Sequence, residues 1–563
     1  MSTIIRGGMI VLAATFVPAA AEAQTAPVDR IDAIERQIQS LQGELQTLKR
    51  ELGETKQKLR ASEAEAQRAR AQAQQATQAA AQAQSQSHTV AAETQQAKQA
   101  AAQSQAAAAQ AQAAVQLVTG SAAAGSPTRG PHVVQTPGNR FGIESADGQN
   151  SIYLTGRLHF DMGDYLDYHP ASKFASVQDL NSGVNARRAR LGVTGKFAGD
   201  WAYTLIYDFG GSTDASPGAN GSGIQTALIT YNGLNKGPFP LAFDVGYMDT
   251  PFTLEEATSS NDIMFVERAS IQAVASNIFA NDFRSAVGVR SNDDRYWAGI
   301  YATGPQSGAT HNTGEQFGAF GRATYQVLSA PDYSLHVGGD VGGLLKPPSV
   351  SGIRTITLSD RPEIRIDPTA ILSTGALGTA ANPVTGAAVY GVELAGGWEN
   401  FFAQGEYYHI DVDRSHLSSN GFDGGYFEAS WTITGEHRKY IPAAGAYAGI
   451  VPDHPFSPWG DDYGLGAFEL AARYSTINLN DHFHPGVAPP TGSNAVGGGN
   501  QTIYQVGLNW YPNANMRFML DYLHGDINKQ FSTAAGGGIA GTPLGAPVGG
   551  TMDALVLRSQ FAF

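Results

Sequence analysis

From Arg140 to the C-terminus the chain is cut into segments of about ten residues in which apolar and polar side chains alternate, separated by Gly-, Asn- and Asp-rich stretches. Nowhere is there an uninterrupted apolar run of about 18 residues, the length a membrane-spanning helix needs. Side chains two apart on a strand share a face. In Ser151 to Asp161 the residues Ile152, Leu154, Leu158 and Phe160 therefore lie opposite Tyr153, Thr155, Arg157, His159 and Asp161. The stretch from Arg188 to Phe197 sets Arg188, Arg190, Thr194 and Lys196 against Leu191, Val193 and Phe197. After the turn Gly199-Asp200, the residues Trp201, Tyr203, Leu205, Tyr207 and Phe209 align with aromatics at both ends, as in a lipid-facing strand with interfacial girdles.

Sixteen such segments can be counted, near 151–165, 186–198, 201–209, 224–231, 241–248, 283–292, 296–303, 316–327, 334–345, 389–398, 401–410, 425–434, 466–477, 503–511, 516–525 and 552–563. Their connections alternate between long and short, with 435–465 out of pattern because it falls where a short turn belongs. Long loops on one rim, short turns on the other and an even strand count predict an all-β transmembrane barrel of about 16 antiparallel strands over residues 140–563.

The first 139 residues read differently. Residues 1–23 carry Arg6, a short apolar stretch from Met9 to Val17 and the small-residue site Ala21-Glu22-Ala23, the pattern of a cleaved signal peptide. In residues 24–60, Ile31, Ile34, Ile38, Leu41, Leu45, Leu48, Leu52 and Leu59 keep the alternating three–four spacing of an α-helical coiled coil. A single amphipathic helix is the other reading of that stripe. Residues 61–139 form an Ala/Gln-rich helix followed by a flexible linker from Ser121 to Pro137. Such a chain belongs in the outer membrane of a Gram-negative bacterium, with the N-terminal stalk in the periplasm.

The absence of cysteine excludes a disulfide scaffold, a thiolate metal site and a cysteine nucleophile. With 36 Lys and Arg against 50 Asp and Glu, no nucleic-acid partner is expected. No P-loop, His-Glu-x-x-His or Gly-x-Ser-x-Gly motif is present, so no enzyme activity and no cofactor are expected. His482-Phe-His484 has little nearby to complete a metal site and reads as a solvated loop. Asp293-Asp294 and Asp461-Asp462 read as turn chemistry rather than a catalytic carboxylate pair.

Four segments together resemble the phosphate-selective porin O and P family: Ala189-Arg-Leu-Gly-Val-Thr-Gly-Lys-Phe, the stretch from Ser430 to Tyr440, Gly466-Ala-Phe-Glu-Leu-Ala-Ala-Arg-Tyr-Ser, and the stretch from Gly507 to Tyr522. The resemblance covers residues 140–563 and rests on the order and number of the segments. It implies a sixteen-stranded homotrimeric pore with one long loop folded inward, a role that fits residues 249–282 with Pro251-Phe252, Glu255-Glu256 and Glu267-Arg268. The terminal Phe563 is similar to the signal that the barrel insertion machinery reads in outer-membrane proteins.

In anion-selective porins of this kind, basic wall residues draw phosphate-like ions inward. Alternation nominates Arg157, Arg188, Arg190, Lys196, Arg284, Arg290, Arg322, Arg473, Arg517 and Arg558 as pore-lining, and Arg268 joins them from the inward loop. The competing reading pairs these cations with Asp161, Asp208, Glu469 and Asp521 as braces, because residues 140–563 hold 24 Lys and Arg against 40 Asp and Glu. Acids such as Asp164, Asp167, Asp179, Asp411, Asp413 and Asp423 fall toward outer loops, where divalent ions bridge lipopolysaccharide. The expected function is a porin, a passive diffusion channel for small hydrophilic solutes, with anions such as phosphate or polyphosphate as candidates. The alternative is a structural outer-membrane protein whose coiled coil spaces or tethers the membrane to the cell wall.

Overall fold

The computed structural model describes Gly43 and residues 132–135, 140–210, 223–234, 239–308, 315–330, 332–459, 463–487, 492–532 and 538–563. The expected signal peptide, the coiled coil apart from Gly43, and the Ala/Gln-rich helix lie outside the described residues.

Sixteen strands form the wall. They are β1 (Ser151–Pro170), β2 (Gly183–Phe197), β3 (Trp201–Asp208), β4 (Gly223–Leu234), β5 (Leu241–Thr250), β6 (Asn281–Asn292), β7 (Tyr296–Gln306) and β8 (Phe317–Ser329). The second half comprises β9 (Tyr333–Lys346), β10 (Val384–Trp398), β11 (Phe401–Arg414), β12 (Asn420–Thr432), β13 (Ala467–Asp481), β14 (Val496–Asn513), β15 (Met516–Asn528) and β16 (Gly550–Ala562). Each pairs antiparallel with its neighbours in sequence, and β16 closes on β1 from Gly550 opposite Pro170 to Ala562 opposite Arg157. The sixteen segments expected from alternation are these strands.

Closure extends to the last residue. The Phe563 amide donates to the Gly156 carbonyl at 3.0 Å, and the Gly156 amide donates back at 3.0 Å. A Cβ at position 156 would stand 2.9 Å from the Phe563 ring, so the terminal aromatic occupies the space that glycine leaves. Beside it a short hairpin, His132–Gln135 with Phe141–Glu144, extends the sheet at the short-turn rim by pairing with Ser151 to Tyr153.

The outward faces are apolar and exposed, including Leu205, Val245, Ile300, Val392 and Leu394. At the short-turn rim aromatic rings meet across strands: Phe197 on Trp201 (5.9 Å between ring centres), Phe401 on Trp431 (6.0 Å), and Trp510 between Phe468 (6.1 Å) and Phe518 (5.5 Å). Tyr207 and Phe209 lie toward the other rim, 4.6 Å apart. An apolar band between two aromatic girdles is the surface of a lipid-embedded barrel.

Among the described residues, three connections fold into the lumen. Residues 251–280, after β5, carry α1 (Leu254–Ala257) and α2 (Ser270–Asn277). The Thr253 side chain caps α1 by accepting the Glu256 amide at 2.9 Å, with Glu255 and Glu256 in the first turn, where carboxylates suit the helix dipole. From α2, Ile271, Val274 and Ala275 join a core with Tyr408 and Ile410 of β11, Phe422 of β12 and Ile477 of β13. The expected inward loop at 249–282 is thus an apolar plug against one side of the wall. Residues 347–383, after β9, pair Ser359–Asp360 with Leu372–Ser373 and bring Glu363 and Arg365 into the lumen. The third segment is 433–466, the connection out of pattern. It enters from the short-turn rim as a small hairpin, Tyr440–Ile441 with Ala446–Tyr447, and seats Tyr447 against Phe402 at 4.7 Å.

Candidate pore and its lining

Strand alternation turns Arg157, Arg188, Arg190, Lys196, Arg284, Arg290, Arg322, Arg473, Arg517 and Arg558 inward. A bulge between His159 and Phe160, as β1 pairs with β2, lets Arg187 point inward beside Arg188, against simple alternation. That irregularity hid Arg187 from a sequence reading.

Four of these guanidinium groups, those of Arg322, Arg473, Arg517 and Arg558, reach both a carboxylate and a loop carbonyl. Arg558 bonds both oxygens of Asp161 at 2.7 Å, Glu267 at 3.2 Å and the Val266 carbonyl. Arg187 meets Glu267 at 2.6 Å, and Arg365 joins that carboxylate at 3.7 Å and Asp360 at 2.9 Å. Arg473 faces Glu363 at 2.6 Å, Glu255 and Glu428 at 3.5 Å, and the Glu267 carbonyl at 3.0 Å. Arg322 pairs with Glu393 at 3.0 Å and donates to the Ala444 and Gly445 carbonyls at 3.1 and 2.7 Å. Arg517 lies 4.0 Å from Glu469 and donates to the carbonyls of Asn261, Ile263 and Met264. Arg438, from 433–466, pairs with the same Glu469 at 2.9 Å.

Elsewhere Arg190 bridges Asp208 (2.7 Å) and Asp282, Arg290 meets Asp244 at 2.9 Å, and Lys196 meets Glu144 at 3.6 Å. Arg268 stays within its own loop, 3.4 Å from Glu256 and bonded to the Glu255 carbonyl at 2.9 Å. Arg284 donates to the Ala280 and Asn277 carbonyls at 2.7 and 3.2 Å. The rigid fork of arginine, with five donors, can hold a carboxylate and a carbonyl at once, so the wall staples the loops in place.

The inserted loops pack on β8 to β16 and share a core with Met248 of β5 and with Trp297 and Tyr301 of β7, while polar wall side chains with partial exposure remain on β1 to β3. Thr155, Thr194 and Thr204 are such wall residues, and Ser259, Asn261 and Asp262 of the inward loop also keep partial exposure. Arg157 stands there, bonded to the Ser260 hydroxyl, and no carboxylate lies within ion-pair distance of it among the described residues. His159 meets Asn261 at 2.9 Å.

Three carboxylates that the sequence reading did not single out, Asp340, Glu393 and Glu406, gather on β9, β10 and β11, with one oxygen of each within 4.8 Å of the others. Glu393 and Glu406 sit directly opposite in register, an unfavourable like-charge pair unless compensated. Arg322 and His336 (3.1 Å) serve Glu393, while Tyr408 (2.7 Å), Tyr426 (2.6 Å) and the Leu254 amide (2.7 Å) serve Glu406. This is the group of the described residues with the oxygen donors to hold a cation. Its inward position was legible from alternation, but its donors come from distant segments. His482, in contrast, pairs with Asp481 at 2.8 Å on the surface, and Asp293 accepts the amides of Arg295 and Tyr296 in its turn at 2.7 and 2.9 Å.

The phosphate-selective porin O and P family matches residues 152–563. Porin O of Pseudomonas aeruginosa is 24% identical over 411 residues, 70% of this chain and 87% of that protein. A Caulobacter vibrioides protein is 26% identical over 390 residues, 67% of this chain and 68% of its own length. Among solved structures, the Vibrio cholerae outer-membrane protein OmpT is similar with a TM-score of 0.42 at 11% identity, covering 74% of this chain and 99% of that one. The anion-selective porin from Comamonas acidovorans gives 0.41 at 12% identity, covering 74% and 100%. The closed barrel, its lipid-facing girdles and the extent of the family match lead to one conclusion: the chain is an outer-membrane porin and belongs to the phosphate-selective porin O and P family.

Proposed function

We propose that this porin is a passive diffusion channel for small hydrophilic solutes that favours anions such as phosphate, and that it assembles as a homotrimer. The observation that supports the anion preference is Arg157. Arg190, Arg290, Arg322, Arg473, Arg517 and Arg558 spend donors on carboxylates, and Arg284 on loop carbonyls, which neutralises much of the positive field an open ladder would present. Arg157 holds a hydroxyl instead, beside the partly exposed face of the inward loop. A guanidinium with no carboxylate in ion-pair contact offers an anion oriented donors without a deep trap, which is what conduction requires.

The test is the reversal potential of purified channels in a planar bilayer under a KCl gradient, with phosphate then added, for the wild type and Arg157→Gln. Anion selectivity with block by phosphate, both weakened in the variant, is the expected result. Cation preference, or identical behaviour of the two channels, would overturn the anion assignment, and absence of conductance would overturn the channel itself.

A further inference from the structure

The connection 433–466 leaves the lumen again before it reaches β13. On that return it forms a second, narrow hairpin, in which Ser457 and Gly464 exchange backbone hydrogen bonds of 2.9 and 3.1 Å. The hairpin is fixed to the end of β14: the Phe456 amide donates to the Pro512 carbonyl at 2.6 Å, and the Trp510 indole donates to the Leu465 carbonyl at 2.8 Å. The Phe456 ring also meets Trp510 edge-on, with 5.3 Å between ring centres. Trp510 faces lipid, stacked between Phe468 and Phe518 in the short-turn girdle. Phe456 and Leu465 therefore carry the hairpin onto the outward side of the rim. What it presents there is apolar. Trp459, two residues beyond Ser457, is 86% exposed and Tyr463, one before Gly464, is 64% exposed, with Phe456 and Leu465 exposed as well. Other turns of the same rim are short and polar, as Gly199-Asp200, Asp293-Asp294 and Glu399-Asn400 show. Large rings and an aliphatic side chain gathered on one hairpin mark an interaction surface instead.

We propose that this hairpin, through its arms 456–459 and 463–465, is an anchor in the headgroup region of the periplasmic leaflet, with zwitterionic phospholipid as its partner. The short-turn rim of such a barrel faces the periplasm. The hairpin continues a surface that already meets lipid, since Phe456 joins it to the girdle through Trp510. Tryptophan and tyrosine suit that depth, where the ring lies among glycerol and acyl carbons while the N–H or O–H keeps a polar partner. Electrostatics select the lipid. Residues 450–466 hold no Lys or Arg but include Asp453, Asp461 and Asp462, so anionic headgroups are disfavoured and the rings supply the attraction. The anchor belongs to the barrel and stands whether or not the pore selects anions.

The experiment uses the absence of cysteine from the chain. Trp459→Cys then carries a single thiol, which is labelled with an environment-sensitive fluorophore in the full-length protein reconstituted in phosphatidylcholine vesicles. Asp294→Cys, in an exposed turn of the same rim, is the reference. Because Trp459 is almost fully exposed, its replacement leaves the barrel intact, as the migration of unheated protein in SDS will show. Two quenchers are compared: iodide on both sides of the membrane, and phosphatidylcholine bearing a nitroxide on its headgroup. The expected result is quenching of the 459 dye by the lipid nitroxide, with iodide quenching several-fold weaker than at 294. Iodide quenching as strong as at 294 means a hairpin standing in water and overturns the anchor. Shielding of the 459 dye from both quenchers means that a second copy or the residues before 132 cover the hairpin, and overturns the lipid assignment. Replacing part of the phosphatidylcholine by phosphatidylglycerol is expected not to strengthen the nitroxide quenching, and a marked increase would overturn the choice of zwitterionic lipid.

Discussion

Arg473 has a side chain with no exposure, faced by Glu255, Glu363 and Glu428, so one guanidinium compensates three carboxylates from α1, the 347–383 loop and β12. Removing one partner of a buried ionic group costs roughly 3–5 kcal/mol because the remaining charge stays buried. Arg473→Gln is therefore expected to lower the temperature at which the folded barrel is lost on heating in SDS, with partial recovery in Arg473→Lys. An unchanged transition would mean that the acids find other partners. Asp360, in the 347–383 loop, gives a pH dependence. Burial pushes its carboxyl up to about 6, against the opposing pull of Arg365. A value above the unfolded 3.8 means that the inserted loop binds more protons than a released one. The contribution to insertion is therefore complete below about pH 4 and is lost as pH rises through about 6. Glu255, pushed well above its usual range by burial and by the charge of Glu428, acts in the same direction on the 251–280 loop. Hydrogen exchange within 347–383, corrected for intrinsic rates, is predicted to show stronger protection at pH 5 than at pH 7.5, and Asp360→Asn to flatten that difference. Equal protection at both pH values in the wild type would count against the burial argument.

The strands were legible because each has two different solvents, lipid outside and polar lumen inside, and period two records both. Leu191 and Leu205 outward with Arg190 and Thr204 inward can be read from the sequence. The inserted segments were legible only in outline. Residues 249–282 stood out by length and resemblance, 435–465 by breaking the rhythm of turns, and 347–383 gave no sign that it folds inward. Their anchors are remote in sequence: Glu363 meets Arg473 across 110 residues and Glu267 meets Arg558 across 291. No local period encodes such partners. Alternation therefore nominated wall cations, while Arg187, Glu363, Arg365 and Arg438, which contact those cations or their partners, carried no such signal. The 433–466 segment yields a prediction of its own. It fills the lumen from the short-turn rim through Tyr447 on Phe402 and through the Ala444 and Gly445 carbonyls on Arg322. Replacing residues 437–463 by a two-residue turn is expected to raise single-channel conductance roughly twofold or more, since it removes a constriction and exposes Arg322. Unchanged conductance would locate the limiting constriction elsewhere, at the inward loop beside Arg157.

At the scale of the whole molecule, the wall of the barrel closes within residues 151–563. The hydrogen-bonded circuit runs from β1 through β16 and back to β1, with Phe563 tied to Gly156, and the edge of β1 left over at Ser151 to Tyr153 is taken by the strand Phe141–Glu144. The lumen is likewise furnished from within residues 151–563, because the three inserted connections and the arginines that staple them all belong to that stretch. Conduction and any envelope-tethering role should therefore separate physically. A chain that keeps residues 1–23 but lacks residues 24–130 is predicted to insert into the outer membrane and give the same single-channel conductance and ion selectivity as the full chain. If that chain also weakens the attachment of membrane to cell wall, measured as increased shedding of outer-membrane vesicles, the heptads at 31–59 act as a tether alongside the pore. A truncated chain that inserts but conducts differently would instead make the stalk part of the permeation path, and the self-contained barrel argued from β16 and β1 would have to be abandoned.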